Sequence, residues 1–293
     1  MRTGLLADAA TALAAAGCET PRLDAELLLA EAAGTDRLAL LTRDRPALSA
    51  DQAARFHALV ARRARREPVA YIVGQRAFRD LEVAVDARVL VPRPETELLV
   101  ETALDLPRGA RVLDVGTGSG AVALALKHER PDLDVAGSDV SADALAVARA
   151  NAQRLGLAVQ WIRADLLDGA GAGWDAVVAN LPYVAAGERP ALAPEITHHE
   201  PHVAVFAGDD PLALIGRLAR QLGDAAVPWA ALEIGLGQAD AVRGRLAEAG
   251  YATAEWRCSR PTPCTGWPAT PIPARRWRAS TRSRAGGRTS RRR

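Results

Sequence analysis

The pattern of apolar and polar positions changes character twice along the chain. Up to about residue 75 the apolar positions recur at helical spacing. Leu5 to Ala16 is alanine-rich and stops at Gly17, and Pro21 opens a second segment in which Leu23, Leu27, Leu28 and Leu29 form an apolar face that ends at Gly34. Ser49-Ala50-Asp51-Gln52 is a capping-box pattern and predicts a helix through Phe56, Leu59 and Val60. Arg62, Arg63, Arg65 and Arg66 crowd its last turns, where they suit the helix dipole, and the plain expectation is a solvated helix end. Pro68 to Gly74 breaks the helical pattern. Phe78 to Val85 and then Val89-Leu90-Val91 alternate like the two short strands of a hairpin. In Pro92-Arg93-Pro94-Glu95-Thr96-Glu97, two prolines hold the chain extended and deny a helix until Glu95.

From residue 110 onward, apolar runs and helical segments alternate. The runs are Arg111–Val115, Asp134–Ser138, Val159–Arg163, Trp174–Ala179 and Trp229–Ile234, and the helical segments lie near 119–129, 142–155, 210–222 and 237–249. Such alternation predicts an α/β fold: a parallel sheet with helices on both faces. After Glu255 the pattern stops. The expected organisation is a helical region 1–75, a hairpin linker 76–94, an α/β domain 95–256 and an irregular Arg/Pro-rich tail 257–293.

The net charge of +2 hides an asymmetry: the tail holds eleven arginines and no acidic residue, so the remaining body carries 26 basic against 35 acidic side chains. An acidic body argues against a large nucleic-acid footprint. Three cysteines, Cys18, Cys258 and Cys264, form neither a disulfide framework nor a metal spacing, so no metal is expected. The chain has no apolar run of roughly 18 residues and no secretory pattern at its start. Together these predict a cytoplasmic protein without membrane contact.

Two stretches can carry chemistry. Gly116-Thr117-Gly118-Ser119-Gly120 turns from a strand into a helix, and its glycines let the backbone approach a ligand closely. The spacing is G-x-G-x-G rather than the dinucleotide pattern, and alone it also suits a tight turn without a ligand. Asp139 ends the next strand, close to the roughly 20-residue offset at which a carboxylate takes ribose hydroxyls. Asp165 and Leu166 follow the third strand, where they could flank an adenine, with Asp165 accepting from the exocyclic amine. The second stretch, Asn180-Leu181-Pro182-Tyr183, sits just past the end of a buried strand. That is where open α/β sheets place their ligands.

The glycine turn with its successive acidic strand ends resembles class I S-adenosylmethionine-dependent methyltransferases. Asn180 to Tyr183 resembles the (Asn/Asp)-Pro-Pro-Tyr signature of enzymes that methylate planar amide or exocyclic amine nitrogens. Such a nitrogen is a poor nucleophile, because its lone pair is delocalised. The Asn180 side-chain carbonyl and the Leu181 backbone carbonyl can accept its two N–H bonds, aim it and draw off charge as the new bond forms. Pro182 fixes the backbone, and Tyr183 offers a flat surface.

Arg66-Glu67-Pro68-Val69-Ala70-Tyr71-Ile72-Val73-Gly74, Phe78 and Val91-Pro92-Arg93-Pro94-Glu95-Thr96-Glu97 narrow the resemblance to the bacterial protein-glutamine N5-methyltransferases of peptide chain release factors, over about residues 20 to 255. The resemblance implies a class I methyltransferase (Rossmann-like) sheet behind a small helical N-terminal domain and a β-hairpin linker. It implies methyl transfer from S-adenosylmethionine to the glutamine of the Gly-Gly-Gln motif in class I release factors. It assigns Gly116, Thr117, Gly118, Ser119, Gly120, Asp139, Asp165, Leu166 and Asn180 to the cofactor, and Asn180, Leu181, Pro182 and Tyr183 to the reacting glutamine.

Two features depart from the family. Leu181 stands where proline is usual, and Asn-Leu-Pro-Tyr is also typical of ribosomal RNA adenine dimethyltransferases. N6-adenine methylation of ribosomal RNA or DNA is therefore the alternative. The acidic body and the Pro92–Glu97 segment argue against it. A third reading, a non-catalytic release-factor adapter, fits poorly with intact motifs. The tail is the second departure: read one nucleotide earlier, a coding sequence for Trp267-Pro268-Ala269-Thr270 can yield Leu-Ala-Gly-Asp, which suits the family's end better. A frameshifted C-terminus is the expectation, and a disordered basic extension the alternative.

Overall fold

A computed structural model describes residues 2–40 and 48–255. The helical N-terminal part comprises α1 (Arg2–Ala15), α2 (Pro21–Ala33), α3 (Arg37–Leu40), α4 (Ala50–Ala64) and α5 (Val69–Val73). Pro21 opens α2, and Gly34 closes it in the left-handed conformation at φ 66°, which a side chain would resist. At α4 the Ser49 hydroxyl accepts from the Gln52 amide, and the Gln52 side chain accepts from the Ser49 amide. Leu13, Leu28, Leu29 and Phe56 are fully enclosed between these helices.

Two expectations fail here. Residues 69–73 form a short helix rather than a break: Pro68 sits at its start and Gly74, at φ 82°, ends it. The hairpin is also shorter than expected. It pairs β1 (Gln75–Phe78) with β2 (Leu81–Ala84), and Val89 to Val91 do not join it. Val89 and Val91 are nevertheless buried, so the alternation read as a strand is the alternation of a loop packed on the core. A turn closed by Val89 N–H on the Asp86 carbonyl carries the chain away from the ladder.

Pro94–Thr96 forms a 3₁₀ turn that leads into α6 (Glu97–Ala103). The α/β part then runs β3 (Arg111–Val115), α7 (Ala121–Glu129), β4 (Asp134–Asp139), α8 (Ala142–Leu155), β5 (Gln160–Arg163), β6 (Ala176–Asn180), β7 (Val184–Ala185), α9 (Pro194–His199), α10 (His202–Val205), β8 (Phe206–Gly208), α11 (Ala213–Asp224), β9 (Trp229–Glu233) and α12 (Ala239–Glu248). Five parallel strands form one sheet in the order β5-β4-β3-β6-β9. Successive residues face opposite sides: Val112, Val135 and Val178 pack into one core layer, and Leu113, Ala136 and Val177 into the other. Both faces are covered by helices, which is why these strands read as continuous apolar runs.

The arginines that end α4 are not a solvated helix end. Arg63 is buried and pairs with Asp24 of α2 and Glu195 of α9, while Arg66 pairs with Glu195 and Arg62 with Glu67. Only Arg65 of the four is exposed. The cluster fastens the helical part to the segment that follows β6. Among the described residues no helix is long and apolar enough to cross a membrane. The tail 257–293, with its proposed frameshift, lies outside the described residues.

Candidate functional site

The sheet order reverses between β3 and β6: β4 and β5 lie on one side of β3, β6 and β9 on the other. Because all five strands are parallel, their carboxyl ends share one edge, and a crevice opens where the order reverses. Gly116–Gly120 leaves the end of β3 and Asn180 ends β6, so both stretches singled out in the sequence border this crevice. They touch. A Cβ placed on Gly116 would lie 3.1 Å from Leu181 Cδ2 and 3.8 Å from the Asn180 carbonyl oxygen. With φ at 72°, Gly116 is a position that only glycine fills without strain.

The turn is held from beneath. Asp114 is buried, and its Oδ2 accepts from the Thr117 hydroxyl at 2.6 Å and from the Ala123 amide at 3.2 Å. Burial pushes its carboxyl up to about 7 against these two bonds. Asn151 of α8, fully buried, donates to the carbonyls of Ser119 and Ala84 at 2.9 and 3.0 Å and accepts from the Ala84 amide at 2.7 Å, so it ties the glycine turn to the hairpin.

Asp139 ends β4. Its Oδ2 accepts from the Gly118 amide at 3.0 Å and its Oδ1 from the Ser141 amide at 2.9 Å. Burial raises its pKa although three backbone N–H groups lower it. Leu166 is buried at φ 57° in a turn closed by Asp165 and Asp168. Asp165 is half-exposed, and Arg217 of α11 holds its Oδ2 at 2.7 Å.

Asn180 is the last residue of β6, paired with Glu233 of β9, rather than a residue just past the strand. Its Nδ2 donates to the Thr96 hydroxyl at 3.0 Å. Leu181 is buried, and the Tyr183 carbonyl accepts from Gln238 Nε2 at 3.0 Å. Burial first, then the nearby Glu233, pushes the Tyr183 phenol up to about 12. The Pro-rich turn before α6 thus lies in the site: Thr96 touches Asn180, and Arg93 holds the buried Glu200 through bonds of 2.6 and 2.8 Å.

Thr96 is marked in the sequence only by its place in the Pro92–Glu97 segment, and Glu233 belongs to no motif singled out there. The signal for Glu233 was available, since it is another acidic residue at the carboxyl end of a parallel strand. Glu195 and Glu200 carried no local signal.

Two family models match the chain: the PrmC N-terminal domain over residues 4–74 and the methyltransferase small domain over residues 94–205. The chain is 43% identical over 237 residues to the release factor glutamine methyltransferase of Koribacter versatilis, a match covering 78% of this chain and 85% of that protein. It is 38% identical over 243 residues to that of Geobacter sulfurreducens, covering 82% and 86%. Among solved structures, the hMettl16 catalytic domain in complex with MAT2A 3'UTR hairpin 1 superposes with a TM-score of 0.52 at 15% identity, over 78% of this chain and 80% of that one, a likeness of fold.

Proposed function

The chain belongs to the release factor glutamine methyltransferase family, and from this premise we propose that it transfers a methyl group from S-adenosylmethionine to the side-chain amide nitrogen of the glutamine in the Gly-Gly-Gln motif of class I peptide chain release factors. The observation that carries the reading is the close approach of the glycine turn at Gly116 to Leu181 and the Asn180 carbonyl, at the point where the strand order reverses. A cofactor on the glycine turn and an amide between Asn180 and Tyr183 would be immediate neighbours.

The residues present fit the cofactor. Gly116 to Gly120 offers a backbone cradle, and a Cβ at Gly118 would meet open space, so the turn is unobstructed there. The Asp139 carboxylate accepts from the backbone amides around it and, with roughly four lone-pair sites on its two oxygens, keeps acceptor capacity for a ribose hydroxyl. Leu166 supplies an apolar wall, and Asp165 an acceptor beside it. The bound cofactor supplies an electrophilic methyl group on a positively charged sulfur.

The protein's own part is positioning. Asn180 Oδ1 and the Leu181 carbonyl would accept the two N–H bonds of the glutamine amide and so fix where its nitrogen sits. As the nitrogen–carbon bond formed, the methyl–sulfur bond would break with its electron pair leaving on the sulfur, which becomes a neutral thioether, and the two oxygens would stabilise the positive charge developing on the amide. The proton leaves after transfer, so no general base is needed. Tyr183 stays neutral and packs against the planar amide. Replacement of the usual proline by Leu181 leaves the backbone carbonyl in service.

The test is methyl transfer from labelled S-adenosylmethionine to a purified release factor, with a loop Gln→Ala release factor as control. Label on the unaltered factor alone is the expected result. Label on ribosomal RNA and none on either factor would overturn the reading.

A further inference from the structure

Asn180 can serve as described only if its carbonyl, and not its NH₂ group, faces the substrate amide. An asparagine side chain is nearly symmetric in shape, so its orientation has to be imposed by its other partner. That partner is the buried Thr96 hydroxyl, 3.0 Å from Asn180 Nδ2. A hydroxyl has a single proton and can donate it once. Which way the amide turns therefore depends on where Thr96 sends that proton.

Glu233 answers the question. It lies directly across the ladder from Asn180, and the neighbouring Thr96 and Tyr183 side chains favour its ionised form. Its Oε2 is buried without a partner. An ionised carboxylate only accepts, so in a hydrogen bond between the two Thr96 is the donor. The Thr96 oxygen is then left as an acceptor, Asn180 must present its NH₂ group to it, and Asn180 Oδ1 turns to the crevice.

We propose that Glu233 and Thr96 are positioning residues for methyl transfer, a chain of two hydrogen bonds that fixes the side-chain amide of Asn180 with its carbonyl toward the reacting nitrogen. The inference rests on the reading of Asn180 given above. Both residues act through Asn180 and touch no reacting atom. Tyr183 shares the same acceptor, so one carboxylate registers both ends of the Asn180–Tyr183 stretch.

The carboxylate must stay ionised for this to hold. Protonated, Glu233 offers a proton of its own, and Thr96 is free to turn its hydroxyl toward Asn180. The groups facing Glu233 are Thr96, Glu95 and Arg93 of the turn before α6 and Tyr183 after β6. Burial, the largest influence, raises its pKa, with Glu95 adding to the rise, and Thr96, Tyr183 and Arg93 oppose it. Orientation is therefore lost as pH falls through a value above the ordinary glutamate range.

The test uses two independent readouts on the full chain: the Asn180 side-chain amide signal by ¹⁵N NMR, assigned with Asn180→Asp, and kcat for methyl transfer. In Thr96→Val the amide protons should lose their protection from exchange and kcat should drop by about 10²-fold, the cost of a misplaced group. Thr96→Ser should restore both, and S-adenosylmethionine binding should be equal in all three. Glu233→Gln is neutral at every pH and brings an NH₂ donor of its own, so it should orient Asn180 no better than protonated Glu233 does: kcat should be low at every pH, and its acid limb should vanish. A protected Asn180 amide in Thr96→Val, an unchanged kcat there, or an acid limb that persists in Glu233→Gln would overturn the proposal. If the unaltered chain methylates no release factor, the family function fails, and the NMR comparison still decides the hydrogen-bond chain by itself.

Discussion

Replacing Arg63 with leucine removes one buried cation, and the geometry sets the size of the loss. Arg63 is 6% exposed; its Nε donates to Asp24 Oδ2 at 2.7 Å, and its Nη1 lies 2.7 Å from Glu195 Oε1. In the variant Arg66 still holds both Glu195 oxygens, at 2.8 and 2.6 Å, so that carboxylate stays paired. Asp24 fares differently. It is 4% exposed and keeps the Thr20 hydroxyl at 2.8 Å on Oδ1, while Oδ2 loses its cation. Stranding one buried charge costs about 3–5 kcal/mol. At roughly 2–4 °C per kcal/mol for a folded part of this size, the melting temperature should fall by about 6–20 °C. Arg63→Leu combined with Asp24→Leu should recover most of the loss, because an apolar pair of similar volume replaces a buried ion pair at little cost. Calorimetry at neutral pH measures both variants. A single variant within about 1 kcal/mol of the unaltered protein, or a double variant as unstable as the single one, would refute the reasoning. The ion pair at Glu195 has a pH sign of its own. Burial works against Glu195, yet the bonds from Arg66 and Arg63 hold its carboxyl below the usual range. Its contribution is therefore present above the ordinary glutamate pKa and fades as pH falls through and below it. The unaltered protein should therefore lose stability in acid as Glu195 is protonated, read from melting temperatures across that range.

Three further outcomes follow from the site. Asn180→Ala should abolish methyl transfer and leave S-adenosylmethionine affinity within a few-fold, read by calorimetric titration; equal loss of both would mean that Asn180 serves the cofactor or the fold instead. Gly137→Ala puts a Cβ 2.4 Å from Trp161 and 2.8 Å from Thr117 Oγ1, so it should cost about 1–3 kcal/mol and weaken cofactor binding through the glycine turn, measured by denaturation and titration. Asp114 titrates near 7 when folded and near 4 when unfolded, so its share of stability is complete below about 4 and is lost as pH rises through about 7. Asp114→Asn keeps an acceptor for Thr117 and Ala123 and should remove a fall of up to about 4 kcal/mol over that window, read from denaturation midpoints at several pH values.

The sequence by itself determined whatever is recorded in neighbouring residues. Caps and turns were legible at Ser49, Gly34 and Gly116, because the backbone conformation there depends on a few adjacent side chains. The parallel sheet was legible because strands buried on both faces are apolar throughout, and Asp139 and Asn180 stood out as polar residues ending such runs. Periodicity records burial, however, and burial has more than one cause. Val89 and Val91 alternate like a strand because the core covers them, with no ladder partner. The helix over 69–73 was missed for a related reason: five residues are too few to show a helical period.

Only the tertiary structure decided the pairings between distant residues. Thr96 meets Asn180 across 84 positions, and Arg66 meets Glu195 across 129. A charged residue at a helix end looks the same in sequence whether water or a carboxylate receives it. Arg63, in the last turn of α4, and Arg65, just past its end, differ in nothing but the side they face and what packs there. The same holds at the crevice: the amide, the hydroxyl and the carboxylate of Asn180, Thr96 and Glu233 are unremarkable singly. Thr96 and Glu233 come to lie around Asn180 only once β6, β9 and the turn before α6 are packed together, and a donor is defined by the acceptor it reaches.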